Sequence, residues 1–177
     1  SLEKKGHHLF FRNEGTAEQD GAMNATYSGW RGSIMVALNQ LLCWDQYFAI
    51  GGALRHVSFD ATPGTMNCAN FPASVSTAPV QAMEISLYPT YNVLSKMIFS
   101  DTKMREDIMC IGGTSQWPAT IFRGTDQWGD PFGYLLVDPI GGAIGAFSDG
   151  DGISTGGQSR TPICKLPNIE HTEQTFP

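Results

Sequence analysis

A change of rhythm along the chain constrains its fold more than any other feature. In the first half, apolar residues recur at helical spacing in two long stretches. From Ile108 onward that periodicity disappears, and glycine, β-branched and aromatic residues dominate. The pattern predicts an α+β fold, with helices in the first half and mainly antiparallel β with glycine-rich loops in the C-terminal third. No internal repeat or low-complexity linker divides the 177 residues, and 41% of them are hydrophobic, so residues 1–177 read as one unit with its own core.

Individual elements follow from local chemistry. Leu9-Phe10-Phe11-Arg12 is short, apolar and aromatic, and it precedes the polar, glycine-bearing stretch 13–21, as a strand entering a loop would. Ser33 reads as an N-cap, because Ile34, Ala37, Leu38, Leu41, Leu42 and Trp44 beyond it lay one apolar face along about three turns before Gly51-Gly52 breaks the helix. Val57-Ser58-Phe59-Asp60 alternates like a strand and is closed by Thr62-Pro63-Gly64-Thr65, where proline fixes φ and glycine accepts a positive φ. Pro79 suits the first turn of a second helix, carrying Val80, Met83, Ile85 and Leu87 on its apolar side. Pro89 either bends that helix or splits it in two before Tyr91, Val93, Leu94, Met97 and Ile98 resume the pattern. Further on, 119–123 and 132–137 flank a loop whose Trp128-Gly129-Asp130-Pro131 has turn chemistry, which predicts a hairpin.

Charge narrows the function. Seventeen acidic residues against 11 basic ones leave a net charge of −6, with no Lys/Arg cluster to follow a phosphate backbone, so nucleic acid is not an expected partner. No run of about 18 apolar residues is present to span a bilayer, and the stretch from Ser1 to His8 lacks the apolar segment of a signal peptide. A soluble, cytoplasmic chain is expected. Cys43, Cys68, Cys110 and Cys164 stand singly, without a C-x-x-C pair, and read as reduced, mostly buried thiols; the sequon Asn24-Ala25-Thr26 carries no weight against this.

The chemistry-bearing motifs are weak when taken one at a time. Gly141-Gly142-Ala143-Ile144-Gly145 fails the G-x-G-x-x-G spacing, since Ile140 holds the first glycine position, and no Gly-Lys-Ser/Thr follows for a P-loop; a tight turn is the expected structure. Asp149-Gly150-Asp151-Gly152 offers two carboxylates to a hard cation but lacks the remaining EF-hand ligands, and so reads as turns. Of the histidines, His7-His8 reads as a solvated pair. His171 follows Asn168-Ile169-Glu170 and precedes Glu173, a compact set of proton-trading groups. No G-x-S-x-G elbow is present, and no cysteine has a recognisable base.

The residues therefore direct attention to 141–173, where glycine-dense loops expose backbone amides near charged side chains. Asp149, Asp151, Arg160, Glu170 and His171 supply charge and proton-transfer capacity there, with Asp151, Glu170 and His171 the candidate catalytic groups.

The order of several landmarks is more specific than any one of them. Gly21-Ala22-Met23-Asn24 precedes the first helix, and Pro63-Gly64-Thr65-Met66-Asn67 leads to Phe71-Pro72-Ala73-Ser74-Val75. Then come Ile121-Phe122-Arg123-Gly124-Thr125-Asp126, Pro131-Phe132-Gly133-Tyr134, the glycine run 141–146, Asp149-Gly150-Asp151-Gly152 and Pro167-Asn168-Ile169-Glu170. In this order the chain resembles the middle of hydantoinase B/oxoprolinase subunits over most of its length. It departs from them at Gly141-Gly142-Ala143, where three glycines are common, and at Gly156-Gly157-Gln158-Ser159-Arg160, in place of an asparagine-rich stretch.

That resemblance implies an internal segment of a longer subunit in an ATP-dependent complex. Such complexes hydrolyse cyclic amides of the hydantoin or 5-oxoproline type, or carboxylate ketones such as acetone and acetophenone. Both substrates need activation, because a resonance-stabilised amide or an enolisable ketone lacks a leaving group or electrophilic partner. The resemblance further implies a hydantoinase A-type partner that binds ATP. It also implies a divalent metal held by a His/Asp region N-terminal to everything present here, so no metal site is expected in this chain. The alternative is a non-catalytic scaffold or interface module, with chemistry performed elsewhere in the assembly. In an internal segment Phe10, Phe11, Trp30, Trp117 and Phe176 are candidates for apolar surface left uncovered.

Overall fold

The computed structural model describes residues 1–46, 50–75, 79–107, 114–116, 120–136, 140–143 and 145–152. Strand β1 (Leu2–Lys5) turns at Gly6, whose φ is 57°, into β2 (His8–Arg12), and the two pair antiparallel with Leu2 opposite Phe11. Helix α1 (Tyr27–Leu42) crosses over before β3 (Val57–Asp60) pairs parallel to β2, with Leu9 opposite Val57, giving the order β1-β2-β3. A parallel neighbour requires such a crossover, and the helix buries the sheet face as it makes one. Phe11 and Phe59 stack at 6.1 Å, and Trp30 of α1 meets the Phe59 ring edge-on at 6.1 Å.

Helix α1 starts earlier than its apolar spacing predicts. Thr26, in extended conformation, accepts the Gly29 N–H on its hydroxyl at 3.2 Å and is the cap. Ser33 lies inside the helix, buried, donating back to the Gly29 carbonyl at 2.9 Å. The face includes Trp30, one turn before Ile34, which the reading from Ile34 onward omits. The helix ends at Leu42 because Cys43 leaves helical conformation, so Trp44 stands outside it and is 76% exposed. Gly51 and Gly52 do not end α1; they belong to a separate short helix, α2 (Ile50–Ala53).

Helix α3 (Pro79–Phe99) begins at Pro79 and continues through Pro89 as one element. The N–H that proline lacks would bond the Ile85 carbonyl, and both residues lie on an exposed side where water can replace it. The opposite side carries Leu87, Tyr91 and Leu94, which pack with Phe11, Trp30, Ile34, Ala37 and Leu38 in the core. Burial of this kind contributes about 25 cal/mol per Å² of apolar surface and supplies most of the stability of such a unit.

In the last third, β5 (Thr120–Thr125) and β6 (Pro131–Leu136) form the expected hairpin, with Thr125 opposite Pro131. Its turn is tied by Asp126, whose carboxylate accepts the Trp128 and Asp130 N–H groups at 2.9 Å each, and Gly129 has a φ of 92°. Strand β4 (Thr114–Gln116) pairs antiparallel with β7 (Ile140–Ala143). Gly141 and Gly142 therefore sit in a strand and not in a tight turn, at a register irregularity between the paired residues Ile140 and Ala143, a place where glycine is easily accommodated. The fold is α+β, as expected.

Two expectations about surface residues are corrected. Phe11 and Trp30 are core residues, 2% and 4% exposed, because the sheet centre and α1 meet there; Phe10 is half-buried, and Trp117 and Phe176 lie outside the described residues. Among the described residues the exposed aromatics are Tyr27, Trp44, Phe71, Phe99, Trp128 and Phe132. His7 is exposed, but His8 is half-buried, with Nε2 2.8 Å from the Ser58 hydroxyl and its ring 4.8 Å from that of Phe10. Among the described residues no helix is long and apolar enough to cross a membrane.

Candidate functional site

Two loops, 13–25 and 61–75, are interlaced, and a cleft opens where they meet α3. The loops exchange backbone hydrogen bonds: Gln19 N–H to Gly64 O at 2.8 Å, Met66 N–H to Ala17 O at 3.0 Å, Ala25 N–H to Met66 O at 2.7 Å, and Ala69 N–H to Ala25 O at 3.0 Å. Gly64 turns with φ 85°, and a Cβ there would stand 3.4 Å from Asn70 Nδ2, so glycine is needed for its backbone conformation. The stretches 21–24 and 63–67, recognised separately in sequence, thus form one structural unit.

Buried asparagines hold the unit together. Asn24, with no exposed surface, accepts the Asp20 N–H at 3.1 Å and donates to the carbonyls of Gly21 at 3.2 Å and Ser74 at 2.9 Å. Asn13, 4% exposed, accepts the Thr62 N–H at 2.6 Å on its oxygen. A backbone N–H can only donate, so this bond sets which end of the Asn13 amide is nitrogen. That nitrogen donates to the Thr65 hydroxyl at 2.9 Å and to Asn67 Oδ1 at 2.8 Å. The Thr65 hydroxyl in turn donates to the Thr62 carbonyl at 2.8 Å and lies 3.2 Å from Asn67 Oδ1.

The cleft has a volume of about 390 Å³, within the range of small-molecule sites. Its polar lining includes Arg12, Glu14, Thr16 and Asn67, and its apolar lining includes Met23, Met66, Ile85, Pro89 and Val93. Arg12 is drawn outward by Glu3 at 3.0 Å and by Asp60 at 3.5 Å. Hydrogen bonds from Lys5 and then Arg12 hold the Glu3 carboxyl below its usual range, and the Glu3 bond raises Arg12. Burial pushes the thiols of Cys68, in the interlaced loop, and Cys43 up, with Asp45 adding to the effect at Cys43, so both stay protonated and poorly nucleophilic.

The residues singled out in sequence are not brought together within the described structure. Asp149 and Asp151 are exposed, beside a turn in which Phe147 N–H bonds Gly150 O at 3.0 Å, and neither lines the cleft. Arg160, Glu170 and His171 lie outside the described residues. Among the described residues no three His, Cys, Asp or Glu side chains converge, so these residues do not fit a divalent cation. The cleft residues Asn13 and Asn67, and Thr65 that bonds both, escaped sequence reasoning as site residues, because polar residues near turns usually signal only the turn. The one available signal was the recurrence of asparagine in both landmark stretches, at Asn24 and Asn67.

The described fold is an α+β unit in which two interlaced, asparagine-locked loops and α3 enclose a cleft of small-molecule size. The chain matches the family model of hydantoinase B/oxoprolinase over residues 2–177, and it belongs to that family. A search of curated proteins returned no match.

Proposed function

We propose that this chain is an internal segment of a hydantoinase B-type subunit in an ATP-dependent complex acting on cyclic amides of the hydantoin or 5-oxoproline type, or carboxylating ketones of the acetone or acetophenone type. The observation that carries the reading is the family match across residues 2–177. In this reading a hydantoinase A-type subunit binds ATP, the remainder of the hydantoinase B-type subunit supplies the divalent metal, and the complex is cytoplasmic. Within the chain, Asp151, Glu170 and His171 are proposed for proton transfer or polar anchoring, and Arg160 and Asp149 for contacts to an anionic group. The isolated chain is expected to hydrolyse no ATP, since its sequence contains no Walker-type loop with its lysine.

The test is turnover by the assembled complex, with ATP, on a cyclic amide and on a ketone with bicarbonate. Activity on one class that is lost in Asp151→Asn or Glu170→Gln, with assembly intact, supports the reading; no turnover of either class overturns it. A second reading, a non-catalytic interface module, draws on Phe71 and Trp128, which are 98% and 78% exposed on ordered turns. Unchanged turnover in the Asp151 and Glu170 variants favours this alternative.

A further inference from the structure

We infer that Asn67 is a ligand-binding residue: its side-chain N–H groups form a pre-set donor for a neutral carbonyl oxygen, and the cleft takes a small molecule carrying that oxygen on an apolar body. The Thr62 backbone N–H bonds Asn13 Oδ1, which places Asn13 Nδ2 toward Asn67, and Asn67 must then present its oxygen to that nitrogen. Both sides of the relay are short, 2.6 Å and 2.8 Å, so the Asn67 amide cannot flip without setting two donors against each other. With Oδ1 committed inward, Asn67 Nδ2 has no hydrogen-bond partner among the described residues, and the residue lines the cleft.

An oriented amide donor with spare protons beside a cavity is placed to bind an acceptor, because orientation has been fixed before the ligand arrives. The surrounding charges favour a neutral acceptor. Arg12 is engaged by Glu3 and Asp60, and the Glu14 carboxylate on the polar side repels anions. Met23, Met66, Ile85, Pro89 and Val93 supply an apolar wall for the rest of the ligand. Among the described residues the charged groups lining the cleft are Arg12, Glu14 and the Ser1 ammonium, and both cations are engaged, Arg12 by Glu3 and Asp60 and Ser1 by the Arg12 carbonyl at 2.7 Å.

This inference rests on reading the chain as part of an enzyme for small carbonyl compounds, and the two fail separately: turnover tests the enzyme, whereas binding to the full chain tests the cleft. The probe is cyclohexanone, titrated into ¹⁵N-labelled protein while the Asn67 side-chain amide resonances are followed. Asn67→Asp keeps an oxygen for the Asn13 and Thr65 contacts and puts a carboxylate oxygen with its negative charge in place of the Nδ2 donor, so it identifies those resonances and abolishes donation at this position. Saturable movement of the Asn67 pair, with binding about three- to tenfold weaker in Asn67→Asp, is expected. Ile85→Ser, at a position 57% exposed and therefore tolerant, is expected to weaken binding through the wall. Equal affinity in wild type and Asn67→Asp, tighter binding of cyclohexanecarboxylate than of cyclohexanone, or Asn67 resonances unmoved at the highest soluble probe concentration overturns it.

Discussion

Asn24 donates through Nδ2 to the carbonyl of Ser74 at 2.9 Å, across 50 residues of chain, and has no exposed surface. Its other amide proton goes to Gly21 O and its oxygen takes the Asp20 N–H, so one side chain satisfies backbone groups of both loops. Asn24→Ala removes three hydrogen bonds made by a fully buried side chain and is expected to destabilise the chain by about 2–4 kcal/mol; urea unfolding measures it. The same burial makes the sequon Asn24-Ala25-Thr26 inaccessible in the folded chain.

Helix α1 separates two hydroxyls by role. Thr26→Ala removes the cap on Gly29 N–H and is expected to cost about 1 kcal/mol. Ser33→Ala removes only a bond back to Gly29 O in mid-helix and gains helix propensity, so the expected change is under about 0.5 kcal/mol. Equal losses in thermal or urea unfolding would contradict the boundary at Thr26.

The edge of the small sheet is expected to weaken in acid. Glu3 is held below the usual glutamate range by Lys5 and Arg12, so its contribution is present above that range and is lost as pH falls through the depressed value. Glu3→Gln lacks this contribution at neutral pH. The melting-temperature gap between wild type and Glu3→Gln should close as the solution is acidified, and should shrink with added salt, because the groups are largely exposed.

Cys43 and Cys68 are free, with thiols raised by burial, and are expected to alkylate slowly near neutral pH in the native chain and faster as pH rises. In denaturant without reductant all 4 cysteines of the sequence should react. A lower count measured by thiol titration would show a disulfide.

Trp128 and Phe71 contact little of their own chain. Replacing either with serine is expected to change stability by less than about 0.5 kcal/mol. If these side chains meet a partner subunit, the double variant should co-purify less partner than wild type; undiminished co-purification argues against the interface reading.

Much of the fold was legible wherever the information was local. Val57–Asp60 alternates and Pro79 opens α3, both as expected, and the hairpin expected from 119–123 and 132–137 is found as Thr120–Thr125 paired with Pro131–Leu136. The start of α1 was not legible from apolar spacing, because a cap is a hydrogen bond and Trp30 declares itself as core only when it meets Phe59. His8 paired with Ser58 was hidden for the same reason: the strands that align them are 50 residues apart.

The sequence by itself determined the α+β class, the hairpin, the turn at Pro63-Gly64 and the family, since these depend on neighbouring residues or on the order of short stretches. Only the tertiary structure decided that Phe11 and Trp30 are core, that Asn13 and Asn67 form a relay, and that a cleft lies between the interlaced loops and α3. Burial and hydrogen-bond partnership are relations between distant parts of a chain. An asparagine at a turn looks the same in sequence whether its amide faces water or is fixed by a backbone N–H 49 residues away.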